Sequence, residues 1–202
     1  MDHPEFQCGN CGAALPRRLK HARLIGCTHC GSTSILKDEA FELAGNGGVV
    51  QDVPSLIQLD REVIAATKAL LPVGHAQFSY GRGLWDEYWC LDEYGEGWWL
   101  SSDEGDYALE RPVPKKNWPR SFRPALGAHC QINGIEYKVT ETENATCTAV
   151  RGEFPEVLHI GETHLYFDLS GRNAEIATYE KWDGGEGWSA GRWIDPWDVS
   201  VS

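Results

Sequence analysis

The chain has 202 residues, 42% hydrophobic and 11% aromatic, enough for a packed core, and no apolar run nears the roughly 20 residues that a membrane-crossing helix needs. Its formal net charge is −12 and uneven: residues 1–40 hold five Lys/Arg and four Asp/Glu, leaving 13 basic against 26 acidic side chains in the remainder. Such a body repels nucleic acid and anionic membrane surfaces and favours basic or cationic partners, so a soluble globular protein that binds no nucleic acid is expected.

The strongest motif lies in residues 1–36. Cys8 and Cys11, then Cys27 and Cys30, form two Cys-x2-Cys pairs separated by 15 residues. This is the spacing of a zinc ribbon, in which two tight turns face each other and offer four thiolates to one tetrahedral ion. Gly9, Gly12, Gly26 and Gly31 flank the pairs, where the backbone must approach closely or take positive φ. Four thiolates leave no open coordination position, so the expected zinc is structural, and its binding is also folding energy for a segment too short to build its own core. Two disulfides are the alternative. They need an oxidising compartment, and Met1-Asp2-His3-Pro4-Glu5 has neither a basic n-region nor an apolar h-region, so a cytoplasmic location is expected. His29, inside the second pair, is expected at the surface or as a donor behind the thiolates. Arg17, Arg18, Lys20, His21 and Arg23 read as a solvated loop balancing the anionic metal site.

Residues 37–53 read as a flexible joint, a helical turn over 37–43 broken by Ala44-Gly45-Asn46-Gly47-Gly48. A candidate helix follows within 54–71, capped by Asp60, with Val63, Ile64, Thr67, Leu70 and Leu71 on one face, although the stretch alternates enough for a strand. From Val73 onward aromatic-rich runs around Phe78 and Tyr80 and over 85–91, 97–100 and 107–109 are separated by Gly- and Asp-rich turns, a meander of hairpins. Pro112, Pro114, Pro119 and Pro124 mark 112–124 as a linker. The β pattern resumes over 128–132, 135–141, 146–150, 163–169 and 175–180, with Asn133-Gly134 as a hairpin turn. The expected architecture is mainly β: an N-terminal zinc ribbon followed by two small antiparallel β modules, barrel- or sandwich-like, at 54–111 and 125–202. The modules read as imperfect copies, because Trp85-Asp86 with Gly95-Glu96-Gly97-Trp98 is echoed by Trp182-Asp183 with Gly185-Glu186-Gly187-Trp188.

No P-loop, Gly-x-Gly-x-x-Gly or His-Glu-x-x-His motif occurs. Cys90, Cys130 and Cys147 sit in apolar runs and read as inert thiols, and His159, His164 and Asp168 are too scattered for a second metal site. The candidate ligand or partner surface is acid plus tryptophan: Trp85, Asp86, Glu87, Trp98, Trp99, Trp182, Asp183 and Trp188. On a strand Trp85, Glu87 and Trp89 share one face and Asp86 and Tyr88 the other. An acid among rings needs a partner: Arg82 or Arg192 within the fold, or a cationic ligand or basic protein segment held partly by cation–π contact.

The two cysteine knuckles, Gly83-Leu84-Trp85-Asp86-Glu87-Tyr88, Trp99-Leu100, Glu153-Phe154-Pro155, the residues Tyr166, Asp168 and Leu169, and Gly191-Arg192-Trp193 together resemble the bacterial proteins grouped as domain-of-unknown-function family 4178. The resemblance covers most of the chain. It implies a zinc ribbon joined to a β-rich module in a bacterial protein, encoded near envelope-stress proteins of the phage-shock type, small membrane proteins and polyamine-synthesis-like enzymes. It supplies no catalytic residues. The first expectation is a non-catalytic adaptor that docks basic protein partners in an envelope-stress or membrane-associated complex, touching membrane only through a partner. The second is a binding or enzymatic module acting on a cationic metabolite such as a polyamine. Exposed aromatic patches mark the first, a concave acid-lined pocket the second.

Overall fold

Alternation of apolar and polar residues with turn residues between leaves little but strand for this sequence, and strands are what form. The computed structural model describes residues 6–15, 18–37, 40–51 and 53–201. Among these the regular structure is antiparallel β with two short 3-10 turns. In the ribbon, β1 (Phe6–Gln7) and β2 (Ala14–Leu15) form a small hairpin, and β3 (Leu24–Gly26), β4 (Ser32–Lys37) and β5 (Ala40–Asn46) a meander. Beyond it come β6 (Val63–Ala65), β7 (Lys68–Ser79), β8 (Leu84–Asp92), β9 (Gly97–Asp103) and β10 (Asp106–Pro112). The remainder is β11 (His129–Ile132), β12 (Ile135–Phe154), β13 (Thr163–Ser170), β14 (Glu175–Trp182), β15 (Gly185–Ile194) and β16 (Val199–Val201).

Strands β7 to β10 pair in order, β10 pairs with β15, β15 to β12 pair in reverse order, and β12 returns to pair with β7. Eight antiparallel strands therefore close into one barrel. The segments expected as two modules are its two four-strand halves, hydrogen-bonded edge to edge at both seams, because closure satisfies the outer strands of each meander.

Each half wears a strap on its outer face. Ile57, Val63, Ala65 and Val199 pack on Tyr88, Cys90, Leu100 and Leu109 outside the first half. Val113, Trp118, Phe122 and Ile132 pack on Phe167, Leu169, Tyr179 and Trp188 outside the second. The Pro-rich stretch is thus a covering strap: Trp118 Nε1 donates to the Val113 carbonyl at 2.7 Å, and the Phe122 ring meets Trp188 with centroids 5.0 Å apart. Each fully buried aliphatic or aromatic side chain contributes about 1.5–3 kcal/mol, so much of the apolar stabilisation lies outside the barrel and the lumen need not be wholly apolar.

Three other expectations change. The candidate helix in 54–71 is β6, a turn and the start of β7; β-branched Val63 and Ile64 favour strand, and Val63 lies opposite Leu70, both buried. The Gly-rich joint is tied down, with Arg151 donating to the carbonyls of Gly47 at 2.9 Å and Gly48 at 2.8 Å. In place of a helical turn over 37–43, β4 and β5 pair, with Asp38 and Glu39 outside the described residues. The ribbon docks on the barrel where β3 pairs with the end of β12, and Leu19, Leu24 and Ile35 pack with Phe154, Trp89 and Trp99.

Candidate functional site: a thiol centre and an acid-lined lumen

The ribbon's two knuckles are built alike. Gly12 N donates to the Cys8 carbonyl at 2.8 Å and Gly31 N to the Cys27 carbonyl at 2.9 Å, and both glycines take φ +72°, where a side chain would strain the turn. Cys8 and Cys30 Sγ lie 3.6 Å apart, Cys11 and Cys27 Sγ 3.8 Å, and all four lie within 4.8 Å of one another. A tetrahedral ion with metal–sulfur bonds of about 2.3 Å needs sulfurs about 3.8 Å apart, whereas a disulfide needs about 2.0 Å. The four thiols are therefore placed to hold one metal ion. The Ser32 hydroxyl sits 3.1 Å from Cys8 Sγ and 3.0 Å from Cys30 Sγ and holds both thiols below their ordinary range, that of Cys30 at about 5. His29 is exposed, outside this set. Of the basic loop, Arg18 is engaged with the fold: its guanidinium meets Asp60 at 2.7 Å and its backbone N–H donates to buried Glu153 at 2.9 Å. Arg17 lies outside the described residues.

Strand alternation decides what the barrel encloses. Trp85, Glu87 and Trp89 of β8 face the lumen, while Asp86 and Tyr88 face the strap. The lumen is a chamber of about 350 Å³ beneath the 155–162 loop and a second of about 500 Å³ reaching the rim at Arg82, Glu104 and Asp106. Glu87, Ser101, Glu110, Thr178 and Glu180 line both and form the waist between them. Glu156, Glu162 and His164 belong to the first chamber; Asp103, Glu141 and Asp168 to the second.

These carboxyls are under-partnered. Glu87 accepts from Trp85 Nε1 at 3.0 Å, and burial followed by the nearby Glu180 charge pushes it up to about 8. Neither Arg82 nor Arg192 pairs with it. Burial pushes Asp168 and Glu156 up to about 7 and Glu110 well above the ordinary carboxyl range. Glu110 is 5% exposed, and its Oε1 has no hydrogen-bond partner among the described residues. Thr178 Oγ1 stands 3.2 Å from Glu110 Oε2 and 3.1 Å from Asp168 Oδ1, so its one hydroxyl hydrogen must serve two carboxyls. Burial would lower His164, but Glu180, 3.3 Å from its Nε2, outweighs that and raises it. Against these acids the lining offers, among the described residues, His159, His164 and the rim residue Arg82, and no lysine.

The tryptophan and acid residues singled out in the sequence are dispersed. Trp85, Glu87, Trp99 and Trp182 line the lumen. Trp98 packs outside, donating to Asp92 at 3.0 Å beneath Lys68 and Arg111, whose guanidinium also meets Glu96. Trp188 is in the wall of the first chamber and packs under Phe122 of the strap, and Asp183 is exposed at the turn between β14 and β15. Asp86 serves the fold: it accepts from His75 Nε2 at 2.7 Å and Gln77 Nε2 at 3.0 Å, and Gln77 also holds the backbone of Gln51. Asp86→Ala should therefore destabilise the protein by about 3 kcal/mol in urea unfolding, with no effect on occupancy of the lumen. A loss under about 1 kcal/mol would refute that role.

The echo also changes meaning. It joins the second and third strands of one half to the third and fourth of the other, one strand out of step with a duplication of halves. Its glycines are needed locally: a Cβ on Gly97 would meet the Trp89 ring at 2.0 Å, and one on Gly185 the Trp182 ring at 2.6 Å. The shared motif is tryptophan lying across glycine on the neighbouring strand. Cys130 and Cys147 are pushed up to about 11 and 12 by burial, and Cys90 higher still, so none offers a thiolate near neutrality.

A family model described as Domain of unknown function (DUF4178) matches residues 70–196. The chain belongs to this family. The DUF4178 match runs from β7 to the turn after β15, so the family domain is the barrel, and the ribbon lies before it. Neither curated proteins nor solved structures gave a match.

Proposed function

We propose that this protein takes a small organic cation into the lumen of its barrel, with a structural zinc in the ribbon bracing one end. The observation that carries this reading is Glu110: a carboxylate 95% buried at the waist of a closed barrel, one oxygen unpartnered, among acids that outnumber the basic side chains lining the same space. A buried carboxylate without a counter-charge either keeps its proton or awaits a cation, and eight-stranded barrels are wide enough to hold one small ligand. Trp85, Trp89, Trp99 and Trp182 add ring faces that suit an ammonium group and its methylenes. Four thiolates in a tetrahedral arrangement suit zinc, which adds no reaction there and supplies folding energy, and they suit the reducing cytoplasm.

Thermal unfolding at about pH 8 with a panel of amines and quaternary ammonium ions tests the reading. At least one should raise the midpoint by about 5 °C at saturating concentration, and Glu110→Gln should abolish the shift. No shift with any member would refute it. The adaptor reading draws on exposed tryptophans near the C-terminus, Trp197 at 94% and Trp193, on the wall of the second chamber, at 42%, which would suit a basic protein partner.

A further inference from the structure

We infer that the occupant of the lumen is a linear polyamine lying along the barrel axis, one ammonium at the Glu110 waist and a second in the chamber of Asp103, Glu141 and Asp168. The inference rests on the organic-cation reading above and specifies the ligand class.

The acids are strung out and not clustered. Glu156 and Glu162 lie in the first chamber, Glu87, Glu110 and Glu180 at the waist, and Asp103, Glu141 and Asp168 in the second. Among the described residues, the ribbon thiols are the one set of three or more metal-ligating groups close enough to share an ion. The lumen acids therefore do not converge on a single divalent metal. A compact monocation is equally mismatched: it neutralises one carboxylate and leaves the others facing each other across low-dielectric space. A chain of ammonium groups separated by methylenes matches the spread, each charge meeting a different carboxylate.

Of four buried side-chain atoms without a hydrogen-bond partner among the described residues, the two oxygens mark where nitrogens would sit; the other two, Trp89 Nε1 and His164 Nε2, the latter with only its ion pair to Glu180, lie in the first chamber. Glu110 Oε1 at the waist and Asp103 Oδ1 in the second chamber are both buried without a hydrogen-bond partner among the described residues. Glu110 and Asp168 share the single hydrogen of Thr178, so an N–H donor between them completes a set the protein leaves short. Tyr80, Trp85 and Tyr166 lie in the second chamber, where they can cover the methylenes between the two ammonium groups, and Trp89, Trp99 and Trp182 in the first, where they can cover a chain that continues past the waist.

Titration calorimetry on the full zinc-loaded chain, with spermidine, putrescine, choline, butylamine and magnesium at about 150 mM salt, tests this. Spermidine should bind at one site about 100-fold more tightly than butylamine or choline, with putrescine between, and magnesium should not compete. Glu110→Gln should weaken spermidine about tenfold or more and butylamine less, and Glu136→Gln, at an exposed residue that lines neither chamber, should leave both alone. Failure of every cation to bind overturns this inference together with the lumen reading. Choline or butylamine within about threefold of spermidine overturns the linear polyamine and leaves the organic-cation reading standing. Equal weakening by Glu110→Gln and Glu136→Gln would mean general attraction to an acidic surface and also overturns the inference.

Discussion

Glu110→Gln should make the unliganded protein more stable at about pH 8 and change it little at about pH 5. Replacing an ionisable residue usually costs stability, so the sign is diagnostic. Burial holds the Glu110 carboxyl well above its ordinary range, with Glu87 at about 8 and Asp168 and Glu156 at about 7. Between the ordinary carboxyl value near 4.5 and those raised values, the folded chain keeps protons that the unfolded chain has lost. Stability therefore falls as pH rises through that window. The raised His164 works in the same direction, since its stabilising charge is present at low pH and lost as pH rises. A tenfold difference in proton affinity between folded and unfolded chain is worth about 1.4 kcal/mol, so the group together should cost several kcal/mol between about pH 5 and pH 8. Glutamine keeps the shape and removes one of these charges, and should recover about 1–3 kcal/mol, read as a midpoint about 3–10 °C higher at pH 8. Midpoints across pH for both proteins check this. A Glu110→Gln advantage that does not grow from pH 5 to pH 8 would refute the uncompensated lumen, the comparison cancelling the zinc centre's own gain in affinity as its thiols lose protons.

The pattern of success in reading the sequence follows from range. The knuckles were legible because four ligands within 23 residues define the centre without reference to the rest of the fold. Strand identity was legible from alternation, and the division of β8 into Trp85, Glu87 and Trp89 against Asp86 and Tyr88 follows from the pleat alone. Closure was not legible. It depends on β12 returning to β7, where Cys147 lies opposite Phe78, and nothing local marks that pairing. Without closure Glu110, Asp168 and Glu180 are single acids in strands, indistinguishable from solvent-facing ones. The signal that could have found them is an acid flanked by apolar residues, as in Leu109-Glu110 and Phe167-Asp168-Leu169, once the apolar neighbours are assigned to an outer face under a strap. The short repeat of tryptophan and glycine has another source: it reflects packing across a hairpin, which leaves Asp183 at an exposed turn and Trp188 between the first chamber and the strap.

Removing the metal should damage the barrel as well as the ribbon. The sequence alone suggests weak coupling through a glycine joint, so that Cys27→Ser would unfold the ribbon and spare the rest. The contacts argue otherwise. Gly26, Ile25 and Leu24 of β3 pair with Gly152, Glu153 and Phe154, and Arg23 N donates to the Phe154 carbonyl at 2.8 Å. Glu153, fully buried, is held by the backbone N–H groups of Arg18 and Leu19 at 2.8–2.9 Å. Phe154 packs against Leu24 on the ribbon side and against Trp99, a wall of the first chamber. A structural zinc supplies on the order of 10 kcal/mol to a segment of this size, and without it the ribbon's grip on β12 should fail. Stranding Glu153 and exposing Phe154 should cost the barrel about 3 kcal/mol, a midpoint drop of about 10 °C. Hydrogen exchange should quicken at residues 151–154 and in the 155–162 loop that roofs the chamber. Elemental analysis of the wild-type chain should give about one zinc, and the Cys27→Ser chain should lose it. Less than about half an equivalent in the wild type would refute the zinc centre, and a barrel whose midpoint and exchange at 151–154 ignore Cys27→Ser would refute the coupling.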